Sequence, residues 1–268
     1  MFVATADLYT TTTTIVVGAD GGCLVIDPAV TVTDLDALAR WLSSCGLRPV
    51  AGWATHPHWD HLLWSAALGQ APRYATPRAV ATAAREFSGL VGEVVRSAPG
   101  HDLALFAQVE PVIGDELWWA GPRAVVYAHD AHAPGHGAVF LPETGVLIAG
   151  DMCSDIEIPL LDRTSADPFG GYRVGLDLLA SAPCVKVLVP GHGHVGDQAE
   201  FRRRVAADLA YLDATEAGTD TADARLTVDW LRAEHASQLK LARAELSVSA
   251  PWQPGLHAGE GPSRRMSG

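Results

Sequence analysis

Thr55-His56-Pro57-His58-Trp59-Asp60-His61 packs four metal-competent side chains, His56, His58, Asp60 and His61, into six consecutive positions. Imidazole and carboxylate donors in such a mixture suit zinc and its first-row neighbours. On an extended or tightly turning segment, residues two apart point the same way. His56 and His58 can therefore grip one ion, and Asp60 and His61, past the bend, can grip a second. Immediately upstream, 50–55 reads as a short buried strand that delivers the cluster. Immediately downstream, 62–68 reads as the start of a helix that fixes the loop and aims its N-terminal dipole at the site.

Three later segments share this character. His136 sits in Ala133-Pro134-Gly135-His136-Gly137, which reads as a tight turn between strands. Asp151 follows Val146-Leu147-Ile148-Ala149-Gly150, and His192 follows Val187-Leu188-Val189-Pro190-Gly191. A polar residue that ends an apolar strand is where a sheet protein places its site residues. Taken singly, each could be a cap or a turn residue. Taken with the first cluster, they complete a ligand set.

The rest of the chain supplies the frame. Segments 15–17 and 23–26 read as strands around a Gly-rich turn at 18–22. A helix over 34–45 carries Leu35, Leu38 and Leu42 on one face and ends at Gly46. Thr76-Pro77 opens another helix, to about Phe87. Residues 88–115 show no clear period and read as loops. Strands follow at 117–119, 124–129, 138–141, 146–149 and 185–189, and helices at 172–182, 199–214 and 222–245. Strands in clusters with helices between them suit an α/β sandwich of sheets with helices outside. One domain over 1–248 is expected, with a Pro/Gly-rich, weakly ordered tail over 249–268.

The 268 residues carry a formal net charge of −12. That surface repels nucleic acid and anionic lipid, leaving a small-molecule substrate as the expected partner; the sequence does not set the oligomeric state, a homodimer being one option. Cys23, Cys45, Cys153 and Cys184 form no C-x-x-C pair and read as reduced, mostly buried thiols, which fits a cytoplasmic protein. No apolar run is long enough to cross a bilayer, and 1–14 has none of the marks of an export signal.

With those motifs in order, the chain resembles the metallo-β-lactamase superfamily. The matching elements are Val25-Ile26-Asp27, Thr55 to His61, Pro134-Gly135-His136, Gly150-Asp151 and Pro190-Gly191-His192. The resemblance covers roughly 10–195 and implies a four-layer αββα sandwich of two mixed sheets, with metals at one edge. It implies that His56, His58 and His136 bind a first metal, that Asp60, His61 and His192 bind a second, and that Asp151 bridges both. Two departures stand out. Gly137 replaces the Thr or Ser that many relatives carry, and Asp151 occupies a step where the true β-lactamases usually carry Cys or Ser. The latter points to the glyoxalase II and lactonase side of the family.

The implied activity is hydrolysis of a small ester, lactone, thioester or amide by a hydroxide bridging two zinc ions, with manganese or iron as alternative metals. Asp60 is the expected catalytic residue, orienting the hydroxide and passing its proton to the leaving group. Asp27 is expected to accept a ligand imidazole N–H. His132, Trp59 and Tyr172 are candidates to support the ligands or face the substrate. The alternatives are an iron-dependent oxidoreductase related to the persulfide dioxygenases and a biosynthetic relative with non-hydrolytic chemistry.

Overall fold

Hydrophobic burial sorts the chain into three apolar layers, and these define the architecture. The computed structural model describes residues 1–28 and 30–249, with side chains to 244. A first sheet holds β1 (Phe2–Thr5), β2 (Thr12–Val17), β3 (Gly22–Ile26), β4 (Arg48–Trp53), β5 (Arg73–Ala75) and β6 (Glu110–Pro111), side by side in chain order. The pairs β1–β2 and β2–β3 are antiparallel, and β3 to β6 run parallel. A second sheet runs in the order β11 (Gly196–Asp197), β10 (Val187–Pro190), β9 (Val146–Gly150), β8 (His136–Leu141), β7 (Val125–His129). Within it only β9 and β10 are parallel.

One apolar cluster lies between the sheets and includes Leu24, Ile26 and Trp53 from the first with Val139, Ile148 and Val189 from the second. A second cluster covers the outer face of the first sheet, where α1 (Val32–Ser44) and α2 (Pro77–Ser97) contribute Leu35, Leu38, Ala79 and Leu90. A third covers the outer face of the other sheet beneath α3 (Pro168–Ala180), α4 (Gln198–Glu216) and α5 (Asp229–Ser249). Three apolar layers between four layers of structure make the αββα sandwich. Both faces of β3 and β9 are consequently buried along their whole length, as their unbroken apolar runs require.

Local chemistry sets the helix ends. Thr31 and Asp34 form a reciprocal capping box on α1, and Thr76 caps α2 with Pro77 at its first position. Several expectations need correction. α2 runs to Ser97 rather than to about Phe87, because Leu90 and Val94 continue its buried face while Gly89 and Gly92 hide the period. No α-helix follows the His-rich segment. Trp59–His61 and Ala66–Leu68 are single 3-10 turns, and Leu62, Leu63 and Trp64 are all buried, leaving no solvent face for an amphipathic helix. Residues 117–119 form no strand; Glu116 makes only an isolated bridge to Val125. Cys45 and Cys184 are exposed, so only Cys23 and Cys153 fit the expectation of buried thiols. The tail expectation for 250–268 lies outside the described residues. No helix among the described residues is long and apolar enough to cross a membrane.

Candidate metal centre

The site forms where strands of both sheets end together. β3 and β4 are parallel, with Ile26 beside Trp53, so their continuations carry Asp27 and the segment Thr55 to His61 to the same edge. β9 and β10 are parallel, with Pro190 beside Gly150, and deliver Asp151 and His192. The loop between β7 and β8 supplies His132. Cross-sheet backbone bonds lock these ends: Gly137 N–H donates to Thr55 O at 2.6 Å and Thr12 N–H to Gly191 O at 2.8 Å.

Two donor groups result. His56, His58, His132 and Asp151 place one ligand atom each within 4.8 Å of one another, and Asp60, His61 and His192 do the same. His58 Nδ1 lies 3.0 Å from both His56 Nε2 and His132 Nε2. In the second group His61 Nε2 and His192 Nε2 are 3.3 Å apart, and His192 Nε2 is 3.2 Å from Asp60 Oδ2. Asp151 stands between the groups. Its Oδ2 is 3.5 Å from both His56 Nε2 and His132 Nε2 and 3.3 Å from His192 Nε2, while its Oδ1 is 3.3 Å from His61 Nε2.

The outer nitrogens of these rings decide whether the groups fit a cation. His132 Nδ1 is 2.9 Å from Leu160 O and His192 Nδ1 is 3.0 Å from Tyr9 O. A carbonyl only accepts, so both Nδ1 atoms carry the proton. Thr55 Oγ1 donates to Asp27 Oδ2 at 2.7 Å, and so accepts from His56 Nδ1 at 3.0 Å. His61 Nδ1 lies 3.0 Å from the same carboxylate oxygen. In neutral rings the Nε2 lone pairs within each group then point into one small space, their atoms within 4.8 Å of one another. Such a cluster is repulsive alone and complementary to a positive ion, so the donor set fits metal.

Electrostatics separate the two groups. Burial, reinforced by neighbouring imidazoles, holds His56 below the ordinary histidine range and His132 at about 3, and burial holds His58 low against the opposing pull of Asp60 and Asp151, keeping all three neutral. Burial alone would lower His61 and His192 as well, but the surrounding carboxylates, Asp151 first, raise both. Burial opposes ionisation of Asp60 too, yet His61 and His192 outweigh it and hold the group at about 2.

His136 requires a correction. The family resemblance puts it in the first group, but it is the first residue of β8, paired in register with His129, and its ring stacks between His56 and His129 at 5.0 and 4.5 Å. His132, four residues earlier and still in the loop, takes the place expected of it. Gly137 has its own packing reason: an added Cβ would meet Thr76 Cγ2 at 2.7 Å and Trp53 Cζ2 at 2.8 Å. Tyr172 is also corrected, since it lies fully buried in α3 among the apolar residues of the outer cluster, away from the site. His235 is buried against Tyr211 and Asp220.

A cavity of about 720 Å³ opens onto both donor groups. Trp59 lines it, as do Tyr9, Glu157, Leu160 and Trp230, none of which the sequence singled out. Burial pushes the Glu157 carboxyl up to about 7.

The family model of the metallo-beta-lactamase superfamily matches residues 8–201. The chain belongs to the metallo-beta-lactamase superfamily. A curated member, hydroxyacylglutathione hydrolase of Synechococcus sp. (strain JA-3-3Ab), is 34% identical over 127 residues, 47% of this chain. The chain spans only 42% of that relative's length. Among solved structures, the metallo-beta-lactamase family protein TTHA1429 from Thermus thermophilus matches with TM-score 0.62 and 23% identity, covering 91% of this chain and 93% of that one. A beta-lactamase domain protein from Burkholderia ambifaria gives TM-score 0.65 at 16% identity, with 88% and 83% coverage. TTHA1623, solved in a di-iron-bound form, gives TM-score 0.60 at 25% identity, with 76% and 98% coverage. The αββα fold and an edge site built for metal are thus common ground between this chain and the superfamily.

Proposed function

We propose that the chain is a dinuclear metal-dependent hydrolase acting on a small ester, lactone, thioester or amide. The observation that carries this reading is the pair of donor groups sharing Asp151 at the floor of a cavity. His56, His58 and His132 would hold one ion, Asp60, His61 and His192 the other, with Asp151 common to both. The 34% identity to a hydroxyacylglutathione hydrolase supports hydrolysis, and the di-iron form of TTHA1623 supports two ions. Zinc suits the nitrogen-rich first group, with iron or manganese as alternatives.

The ions, when bound, supply water of lowered pKa and polarisation of the substrate carbonyl. The chain's own residues do the rest. Asp60, ionised and facing the cavity, accepts a proton from the attacking water as its oxygen bonds to the carbonyl carbon. When the carbon–leaving-group bond breaks, Asp60 returns that proton to the departing atom. Asp27 accepts from the Thr55 hydroxyl, which in turn keeps His56 Nδ1 protonated and its Nε2 aimed inward, and the same carboxylate oxygen lies beside His61 Nδ1.

Protein loaded in turn with zinc, manganese and iron(II), assayed on esters, lactones, thioesters and amides, tests the reading. Hydrolysis of at least one class is expected. Asp60→Ala is expected to lower turnover by about 100-fold or more while leaving the circular dichroism unchanged. Oxygen consumption by the iron form without hydrolysis, or full activity in Asp60→Ala, would contradict it.

A further inference from the structure

The cavity above the metal centre has a charge pattern of its own. Outside the donor groups it is lined by the carboxylates of Glu86, Glu157, Asp162 and Glu234 against a single guanidinium, Arg163. Three of the four acids are already engaged. Glu86 pairs with Arg85 at 2.8 Å. Asp162 Oδ1 accepts from the Thr164 amide at 2.8 Å and from its hydroxyl at 2.6 Å. Glu234 accepts from Gln238 and lies 3.8 Å from Arg163, which itself donates to Ser237.

Glu157 differs. Its side chain is buried, with the residue only 7% exposed, and it faces the cavity. Its backbone N–H is satisfied by Ser154 Oγ. Among the described residues its carboxylate has no hydrogen-bond donor and no salt bridge, although it feels the charge of His192 in the second donor group. A carboxylate largely removed from water and without a hydrogen-bond donor is costly to ionise, and the same setting makes a complementary cation bind strongly. Tyr9, Trp59 and Trp230 line the same cavity and add aromatic surfaces that favour a cation over an anion. Outside the donor groups, an anionic conjugate has only Arg163 to meet it.

We propose that the cavity recognises a substrate bearing a positively charged nitrogen, held by Glu157 beside these aromatic rings, and disfavours substrates bearing carboxylates there. This rests on the hydrolase reading for the chemistry at the metals, but it concerns recognition. It separates the chain from a glutathione thioester hydrolase, since such a thioester carries two carboxylates against one ammonium. Glu157 is thus a specificity-determining residue, and a substrate's ammonium supplies the direct partner that its carboxylate lacks.

The test uses a series of hydroxamates that share one metal-binding head and one linker, with tails ending in ammonium, methyl or carboxylate. Affinity for the zinc-loaded protein is read by calorimetry. The ammonium tail is expected to bind at least about tenfold tighter than methyl, and carboxylate weaker than methyl. Glu157→Gln should erase the ammonium advantage while leaving methyl-tail affinity within about threefold, which also shows that the variant is folded. Equal binding of all tails, a preference for carboxylate, or an unchanged ranking in Glu157→Gln overturns the recognition role alone. Failure of every member to bind zinc-loaded protein overturns the metal-centre reading as well.

Discussion

At the scale of single residues, the site is governed by which nitrogen of each ring is already occupied. Asp27 carries the largest share of that control. One oxygen accepts the Thr55 amide at 2.8 Å, and the other accepts the Thr55 hydroxyl and faces His61 Nδ1. Asp27→Asn offers an N–H in place of one acceptor, so the orientation of His61 or of Thr55, and through it His56, is lost. Metal affinity measured by chelator competition is expected to fall about 10- to 100-fold, and unchanged affinity would show that the relay is unnecessary. The place of Asp27 beside the ligand loop was legible from its position at the end of an apolar strand. The choice between His132 and His136 was not. Both lie in one H-x-x-x-H segment, and spacing does not tell where the loop stops. It stops at Gly135, whose φ of +77° turns the chain into β8, so that His136 becomes a strand residue committed to stacking. Glu157 gave no signal at all, because an isolated glutamate in a loop without periodicity reads the same whether buried or solvated.

At the scale of elements, the ends of parallel strands make the site, and glycine allows them to approach. Gly150 adopts φ +56° at the end of β9, and Gly191 follows β10. A Cβ on Gly191 would collide with Asp151 Oδ1 and come within 3.1 Å of His61 Cε1. Gly191→Ala therefore pushes the shared carboxylate out of position. The expected cost is about 1–3 kcal/mol in denaturant unfolding of metal-free protein, together with a loss of metal affinity. Wild-type values on both counts would mean that the strand ends yield more freely than their packing indicates. The apolar runs of β3, β9 and β10 were readable because buried parallel strands are continuous in hydrophobicity. The segment after His61 reads as helix for a related reason: three successive buried side chains look like the start of a helix as readily as a packed loop.

At the scale of the whole molecule, the donor groups tie the two sheets together. His56, His58, Asp60 and His61 come from the first sheet's edge, and His132, Asp151 and His192 from the second's. Each proposed ion thus takes ligands from both halves of the sandwich, and binding should stabilise the folded state by mass action. The sandwich itself was legible because strands and helices arrive in clusters and the motifs arrive in family order. The depth and charge of the cavity were not, since Tyr9, Glu157 and Trp230 converge there from segments far apart in sequence. The central claim is that seven side chains, with His132 among them and His136 outside them, hold a pair of ions. Metal analysis of zinc-reconstituted, desalted protein tests it most directly. About two ions per chain are expected for the wild type and for His136→Ala, and clearly fewer for His132→Ala. A wild-type protein that retains no metal, or a loss that follows His136 instead of His132, would contradict the account.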